Sequence, residues 1–344
     1  MEEVTVAVRG ISLNVLVDGP VDGTPVLLVH GNCSSAAFWQ PLLRQLPANL
    51  RIVAPDLRGY GRSEAAPVDA TRGLSDFADD ISAIIDNPEI FGQSGRKITL
   101  AAHSMGCGVA MQLLIDNPGR FRAVLLEAPV SPYGFGATRD LDGTPTTPDF
   151  AGAGGGGANP DFVRRIVEGD RADDGPTSPL AVLRTAYVAD PSSLGDDEQL
   201  LLDTVLSTAI GDDNYPGDSK PSDNWPGVSP GDRGVLNTMA PNHFNVAEAL
   251  VAVKEKPPII WVRGDRDAIV SDTSFFDLAY LGQLGVVPGW PGEEACPPQP
   301  MVGQTRAVFE RYGPYTEVVY ENCGHSPHVE RPAEVAAELL KLLP

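Results

Sequence analysis

The chain carries little positive charge. Its 344 residues include 25 lysines and arginines, only five of them lysines, against 46 acidic residues, so the formal net charge is −21. A chain with this balance repels the phosphates of nucleic acids and of anionic membranes. We therefore expect neither nucleic acid nor membrane as a partner. Because the acidic residues are scattered rather than collected in one block, they indicate a solvated surface.

Cysteine is scarce, and the patterns that bind metals or phosphates are missing. The four cysteines form no C-x-x-C pair and no framework spacing, which favours free thiols in a reducing compartment. No zinc-site spacing, no H-E-x-x-H and no G-x-x-x-x-G-K-[ST] occurs, and the glycine run at 154–157 follows no strand. We expect no metal and no organic cofactor.

Long apolar segments are absent too. No run approaches the length that a membrane-spanning helix needs. The first residues, Met1-Glu2-Glu3-Val4, are acidic and lack the basic and apolar regions of a signal peptide. We therefore expect a cytoplasmic protein, and nothing in the sequence predicts its oligomeric state.

What the sequence does contain is an alternation of strands and helices. The apolar run at 25–29 is typical of a strand that is buried on both faces of a parallel sheet. The pattern predicts an α/β fold with a mostly parallel central sheet flanked by helices. We predict strands at 3–9, 11–17, 25–29, 51–54, 97–102, 121–127, 258–262 and 317–320, and helices at about 35–46, 74–87, 105–117 and 332–343.

The pattern changes after the sixth strand. Residues 131–244 are rich in glycine, proline and aspartate, show no strand-like run, and carry helical patterns at about 160–168, 179–189 and 197–210. We interpret 131–244 as a helical cap, or lid, inserted into a core formed by 1–130 and 245–344. A second irregular stretch is predicted at about 281–303.

The most informative stretch runs from the predicted fifth strand into Ser104. Small residues, Ala102 and Gly106, stand two positions before and two after this serine. A sharp strand-to-helix turn that exposes a serine hydroxyl needs small residues at both places, as in the nucleophile elbow usually written G-x-S-x-G. Alone, the match is a weak signal, because a glycine-rich turn before a core helix gives the same pattern.

Five motifs in order carry a family resemblance. They are His30-Gly31-Asn32, Asp56-x-Arg58-Gly59-x-Gly61-x-Ser63, the Ser104 turn, Gly264-x-x-Asp267 and Gly324-His325. With this set, the chain resembles the α/β-hydrolase superfamily, in its esterase-like, serine-nucleophile branch with a large helical cap. The resemblance covers roughly 1–130 and 245–344, and it implies the α/β-hydrolase fold.

The resemblance implies a catalytic triad. A serine hydroxyl needs a base within hydrogen-bond reach, and His325 matches the family's base for Ser104. Asp267 matches the acid that orients this histidine and stabilises its charged form. Asp265 and Glu127 remain alternatives for that acid.

By the same resemblance, the backbone amides of Asn32 and Met105 form the oxyanion hole. Asn32 also resembles the position at which haloalkane dehalogenases hold halide. Those enzymes, like epoxide hydrolases, carry an aspartate at the elbow, so Ser104 argues against both. His103 and His328 are interpreted as packing and structural residues.

Six side chains are predicted to line a substrate pocket, and all but Met105 have packing as an alternative. They are Phe38, Trp39, Met105, Tyr133, Phe135 and His243. The length of the cap favours a buried, mainly apolar pocket for a small or medium substrate. Arginines of the cap are candidates for pairing with a substrate carboxylate, and solvated helix faces are the simpler interpretation.

The implied activity is hydrolysis of a carboxylic ester through an acyl-enzyme intermediate, with a small-molecule ester as the partner. This step is an analogy from fold and motifs. The same triad also serves hydrolysis of a lactone, thioester, amide or carbon–carbon bond, and cofactor-free perhydrolase or haloperoxidase-like chemistry. A binding protein without activity is the remaining alternative, and it would have lost the nucleophile or the base.

Overall fold

The fold is built on one large twisted sheet. The computed structural model describes residues 1–92 and 95–344. Its strands are β1 (Glu2–Val8), β2 (Ile11–Asp18), β3 (Thr24–Val29), β4 (Leu50–Pro55), β5 (Ile98–His103), β6 (Phe121–Glu127), β7 (Ile210–Gly211), β8 (Tyr215–Pro216), β9 (Ser219–Pro221), β10 (Val228–Pro230), β11 (Ile259–Gly264) and β12 (Tyr315–Tyr320). Eight of them form the sheet, in the order β1-β2-β4-β3-β5-β6-β11-β12.

The strand directions explain the sequence patterns. β1 and β2 form an antiparallel pair at one edge, and β2 also runs antiparallel to β4. All the other pairings in this sheet are parallel. Val26 to Val29 of β3 are fully buried, because β3 lies inside the sheet with side chains packed on both faces. The predicted α/β fold with a mostly parallel sheet is confirmed.

Helices cover both faces of the sheet. Their bounds are α1 (Gln40–Leu43), α2 (Ser75–Ile85), α3 (Pro88–Phe91), α4 (Met105–Asp116), α5 (Pro160–Val167), α6 (Pro179–Val182), α7 (Glu198–Leu206), α8 (Val235–Thr238), α9 (Ala247–Ala252), α10 (Leu278–Gln283), α11 (Met301–Tyr312), α12 (Pro327–Glu330) and α13 (Pro332–Leu340). Apolar side chains of α2, α4, α9 and α11 belong to the main core on one face. Those of α1 and α13 pack on the other face.

The segment between β6 and β11 differs from its prediction in one respect. Helices α5 and α7 lie where helices are predicted, and α6 continues into a π-helical turn, Leu183–Tyr187. The segment also contains two small sheets, β7 with β8 and β9 with β10, which were not predicted. They contribute nothing to the central sheet, and the division into core and cap stays a prediction. Among the described residues, no helix combines the length and apolar composition that crossing a membrane would require.

Several other helices depart from expectation, since α3, α9, α10 and α12 were not predicted either. The helix predicted at 35–46 is a 3₁₀ turn, Ala36–Trp39, followed by the single turn α1. Helix α11 was not predicted, although its buried positions Met301, Thr305, Val308 and Tyr312 recur at helical spacing. The missed helix matters for the fold because it covers the main core beside β12.

Candidate active site

Ser104 occupies the strained turn between β5 and α4. Its φ is +54°, a left-handed conformation that costs a residue with a side chain about 1–3 kcal/mol. The surrounding structure holds this conformation: the Ser104 amide donates to the carbonyl oxygen of Glu127 (2.9 Å). A Cβ on Gly106 would lie 2.4 Å from the carbonyl oxygen of His30, so only glycine allows this approach. The turn presents the serine side chain, half-buried, at the edge where the parallel strands end.

His325 and Asp267 meet at the same edge, in the loops that follow β12 and β11. The two carboxylate oxygens of Asp267 lie 2.9 and 3.1 Å from Nδ1 of His325, and both side chains are 2% exposed. The amides of Ile269 and Val270 also donate to Asp267 Oδ1, at 2.8 and 2.9 Å. This arrangement keeps the proton of His325 on Nδ1 and leaves Nε2 to act as a base.

The alternative acids have other partners. Asp265 is exposed, and its carboxylate accepts a hydrogen bond from the amide of Cys323 (3.3 Å). Glu127 is fully buried and pairs with His328, whose Nδ1 and backbone amide both lie 2.7 Å from Glu127 Oε1. The structure therefore brings Asp267, and neither alternative, to His325.

The oxyanion turn is defined here as Gly31-Asn32-Cys33, which follows β3. The hydroxyl of Tyr60 donates to Asn32 Oδ1 (2.7 Å), and Cys33 has a φ of +44°. The amide of Met105, as the first residue of α4, is one that a helix leaves without an intrahelical partner. A Cβ on Gly31 would lie 2.9 Å from Cβ of Ser104, so the turn packs directly against the elbow. The two predicted oxyanion donors thus lie on segments that touch.

Two further histidines, His103 and His328, pack next to His325. Nε2 of His103 lies 2.9 Å from the carbonyl oxygen of His325, and the ring centroids of His103 and His328 are 4.9 Å apart. Burial lowers the pKa of His103 well below 6.5, and the neighbouring His325 and His328 lower it further. A neutral His103 donates from Nε2, which fixes the backbone next to the catalytic imidazole.

His103, Glu127 and His328 are also the group that offers three potential metal ligands within 4.8 Å of one another. Most of their polar atoms are already engaged: the His103 ring hydrogen-bonds to the His325 carbonyl, and Glu127 Oε1 binds both His328 donors. Three further atoms, His103 Nδ1, Glu127 Oε2 and His328 Nε2, are buried without a partner among the described residues. The geometry fits a hydrogen-bonded support for His325. From the sequence, His103 was predicted to be a packing residue, His328 a structural one and Glu127 an alternative acid.

A cavity of about 580 Å³ opens over the elbow, and Ser104, His325 and Asn32 lie on its wall. Its remaining wall is mostly apolar and comes from the inserted segment and from the loop after β11. Within the described chain, no aspartate, glutamate, lysine or arginine lines this cavity. Representative apolar residues of the wall are Val130, Phe135, Met239, Ile269, Phe275 and Leu278.

Phe135 lines the cavity, as predicted, whereas four other side chains predicted for the pocket lie elsewhere, which corrects that part of the prediction. Phe38 and Trp39 are buried, and their rings pack against His328 at centroid distances of 5.1 and 4.3 Å. Tyr133 belongs to the main core. His243 lies 2.9 Å, through Nε2, from the carbonyl oxygen of Gly231. None of the four lines the cavity.

Burial also determines the chemistry of the thiol on the cavity wall. It raises the pKa of Cys33 to about 12, although hydrogen bonds from Thr208 and Tyr215 act in the opposite direction. The thiol is therefore neutral at physiological pH and is a poor nucleophile. Ser104, by contrast, shares the cavity wall with the imidazole of His325.

Comparisons with known proteins identify the family. A family model described as "Alpha/beta hydrolase family" matches residues 26–338. A Variovorax paradoxus protein described as a carbamate hydrolase is 41% identical over 115 residues, which are 33% of this chain and 41% of that protein. Lipase LipV of Mycobacterium tuberculosis is 34% identical over 142 residues, which are 41% of this chain and 51% of the lipase. The matched region thus spans about half or less of each relative.

Among solved structures, the esterase RhEst1 from Rhodococcus sp. ECU1013 aligns over 99% of this chain and 97% of its own, with a TM-score of 0.60. The two sequences are 20% identical. Similarity at this level shows a shared fold and leaves the substrate open.

Proposed function

Because the chain belongs to the alpha/beta hydrolase family, we propose that it hydrolyses a carboxylic ester of a small or medium neutral molecule through an acyl-enzyme intermediate. The observation that carries the proposal is the mostly apolar cavity whose wall holds both Ser104 and the Asp267-bound His325. A nucleophile, a base and an orienting acid are the parts that acyl transfer to water requires.

The proposed reaction has two steps, acylation of Ser104 and hydrolysis of the acyl-enzyme. His325 Nε2 removes the proton from Ser104 Oγ as that oxygen attacks the ester carbonyl, and then gives the proton to the departing alcohol. Water attacks the acyl-enzyme with the same base, and the carboxylic acid leaves. Asp267 stays ionised and stabilises the imidazolium that forms in each step. The amides of Asn32 and Met105 donate to the oxyanion of both tetrahedral intermediates.

The cavity favours a neutral substrate. A carboxylate bound there would lose its hydration without gaining a charged partner, which costs several kcal/mol. The arginines of residues 131–244 have other partners, because five of them are ion-paired with nearby acids and Arg139 donates to the carbonyl oxygen of Ala295 (2.6 Å). The ion pairs are Arg164 with Asp161 and Glu168, Arg165 with Asp161, Asp170 and Asp174, Arg171 with Asp203, Arg184 with Asp173 and Glu198, and Arg233 with Asp212, Asp213 and Asp218.

The size of the cavity favours a small or medium substrate. Its volume, about 580 Å³, lies inside the range of about 300–1,000 Å³ that is typical of small-molecule sites. An enzyme built this way should cleave soluble short esters better than polymeric polyesters or emulsified long triglycerides. The opposite preference would contradict this part of the proposal.

Carbamate hydrolysis is the second candidate. It is favoured by the relative that is 41% identical over 115 residues and is described as a carbamate hydrolase. A carbamate carbonyl is attacked by the same nucleophile and stabilised by the same amides, so the triad does not separate the two bonds.

The proposal is tested with p-nitrophenyl esters from acetyl to dodecanoyl, together with a p-nitrophenyl carbamate. We expect ester turnover that disappears in Ser104→Ala and persists in Ser12→Ala, since Ser12 is an exposed residue of β2. The chain-length optimum would measure the acyl part of the cavity. If no ester is turned over while an organophosphate still labels Ser104, the site is functional and the ester proposal is wrong.

A further inference from the structure

One stretch of the inserted segment, Tyr187–Asp190, hydrogen-bonds both to the oxyanion turn and to Glu330, which binds the loop that carries His325. We propose that this stretch, which we call the strap, is a positioning element with Tyr187 as its principal residue. It holds the oxyanion turn in place relative to the loop between β12 and α12 that carries His325, which we call the histidine loop. The inference rests on the proposed acyl-transfer function. The strap was not predicted from the sequence.

Tyr187 hydrogen-bonds to the backbone of the oxyanion turn. Its hydroxyl donates to the carbonyl oxygen of Cys33 (3.0 Å) and lies 3.3 Å from that of Asn32. Because Cys33 has a left-handed φ of +44°, this turn needs outside support to keep its conformation. Tyr60 holds the side chain of Asn32, so Tyr187 is the hydroxyl that holds its backbone. Fixing these carbonyls fixes the direction of the neighbouring amides, one of which is the predicted oxyanion donor.

The position of Tyr187 suits this role. It ends the π-helical turn Leu183–Tyr187, and such turns occur frequently at functional sites. Its side chain is buried, and its ring lies 5.7 Å from the ring of Phe38 and 6.2 Å from that of His325, measured between centroids. Burial raises the pKa of its hydroxyl well above 10, so the group remains a hydrogen-bond donor at every pH at which the enzyme would work.

The next residues of the strap bind the histidine loop. Glu330 Oε2 accepts from the amides of Ala189 (3.1 Å) and Asp190 (3.2 Å), while Glu330 Oε1 accepts from the amide of Gly324 (2.5 Å). Gly324 precedes His325, and a Cβ on it would lie 2.6 Å from the nitrogen of Ala189. One carboxylate therefore joins the strap to the loop that carries the base.

The contacts of Tyr187 and of the Ala189 and Asp190 amides together connect the oxyanion turn to the histidine loop. The oxyanion turn follows β3 and the histidine loop follows β12, so the chain between them is long and their relative position depends on packing. A stretch of four residues that touches both sets the distance between the oxyanion donors and the base. Misplacement of such groups by about 1 Å can cost on the order of 100-fold in rate.

The test removes the Tyr187 hydroxyl and leaves its ring. In Tyr187→Phe we expect kcat for the best p-nitrophenyl ester to fall by about 10- to 100-fold, with KM changed less than about threefold, because the oxyanion forms only after binding. Affinity for a trifluoromethyl ketone inhibitor, which forms a tetrahedral oxyanion on Ser104, should fall by a similar factor. A purely structural role would not single out this inhibitor.

Tyr312→Phe is the matched control. Tyr312 is also buried, and its hydroxyl donates to the carbonyl oxygen of Pro257 (2.8 Å), far from the cavity. This variant loses the same kind of hydrogen bond and should keep wild-type kcat and inhibitor affinity. Glu330→Gln provides a second variant of the strap should Tyr187→Phe fold poorly, and we expect it to lower kcat as well.

The inference is overturned if folded Tyr187→Phe keeps kcat and trifluoromethyl ketone affinity, or loses no more than Tyr312→Phe. Failure of the proposed function looks different, because the wild type itself would then turn over no ester. In that case the rate at which a fluorophosphonate labels Ser104 replaces kcat, and a rate in Tyr187→Phe equal to that of the wild type would refute the role of the strap.

Discussion

Replacing Asp267 with asparagine isolates the charge of the triad acid. The substitution keeps Oδ1 as the acceptor for the amides of Ile269 and Val270, so we expect the loop to keep its conformation. The new amide group would donate to Nδ1 of His325, which forces the imidazole proton onto Nε2, where the base must be free. The variant therefore loses both the correct tautomer and the counter-charge for the imidazolium.

The size of the loss follows from the 2.9 Å contact between His325 Nδ1 and Asp267 Oδ2. Two opposite unit charges about 3 Å apart attract by about 5 kcal/mol at an effective dielectric constant of about 20. Desolvation of the buried carboxylate offsets part of this attraction. Since about 1.4 kcal/mol corresponds to a tenfold change, we expect kcat to fall about 10³- to 10⁴-fold.

The assay is steady-state hydrolysis of the best p-nitrophenyl ester, with circular dichroism to confirm folding. Asp265→Asn is the control, since Asp265 is exposed and its carboxylate accepts from the Cys323 amide, away from His325, and this variant should keep more than about half of the activity. A folded Asp267→Asn variant with near-wild-type kcat would refute the reasoning. So would a larger loss in Asp265→Asn than in Asp267→Asn.

Three further outcomes are expected. Gly106→Ala should lower the free energy of unfolding by about 3 kcal/mol, because its methyl would meet the carbonyl oxygens of the last residue of β3 and of the residue after it. Gly175→Ala is the control, since its methyl would have nothing within 4 Å. Urea unfolding compares the two variants, and equal losses of stability would contradict the steric argument. The free energy of unfolding should fall as pH drops from 7.5 to 5.5, because burial lowers the pKa of His103 and only the unfolded chain takes up its proton below about 6.5. His103→Gln should make that pH dependence shallower, and an unchanged slope in thermal melts would count against this origin. Iodoacetamide at pH 8 should leave the activity intact, because burial raises the pKa of Cys33 to about 12; rapid inactivation with modified Cys33 would disagree.

The sheet and the turn at Ser104 could be predicted from the sequence because their signals are local. Apolar runs identify β3 and β5 without knowledge of the neighbouring strands. The small residues around Ser104 are needed by the turn itself, as the approach of Gly106 to His30 shows. Residues at the carboxyl ends of parallel strands share one edge, so strand order along the chain was enough to expect His325 near Ser104.

The lining of the pocket could not be predicted in this way, because its wall is assembled from distant parts of the chain. Phe38 and Trp39 follow the oxyanion turn closely in sequence, yet their side chains turn toward His328 and away from the cavity. The residues that do line it, such as Met239 and Phe275, lie on loops whose paths depend on tertiary packing. Strands β7 to β10 have two or three residues each, which is too short for an alternating pattern to appear.

The absence of charged side chains along the described wall of the cavity also affects the end of the reaction. Hydrolysis of a neutral ester creates a carboxylate, and this cavity holds no lysine or arginine to retain it. The protein around it carries a net charge of −21. In the proposed reaction, the newly formed carboxylate would therefore be repelled toward solvent, whereas the next neutral ester would not.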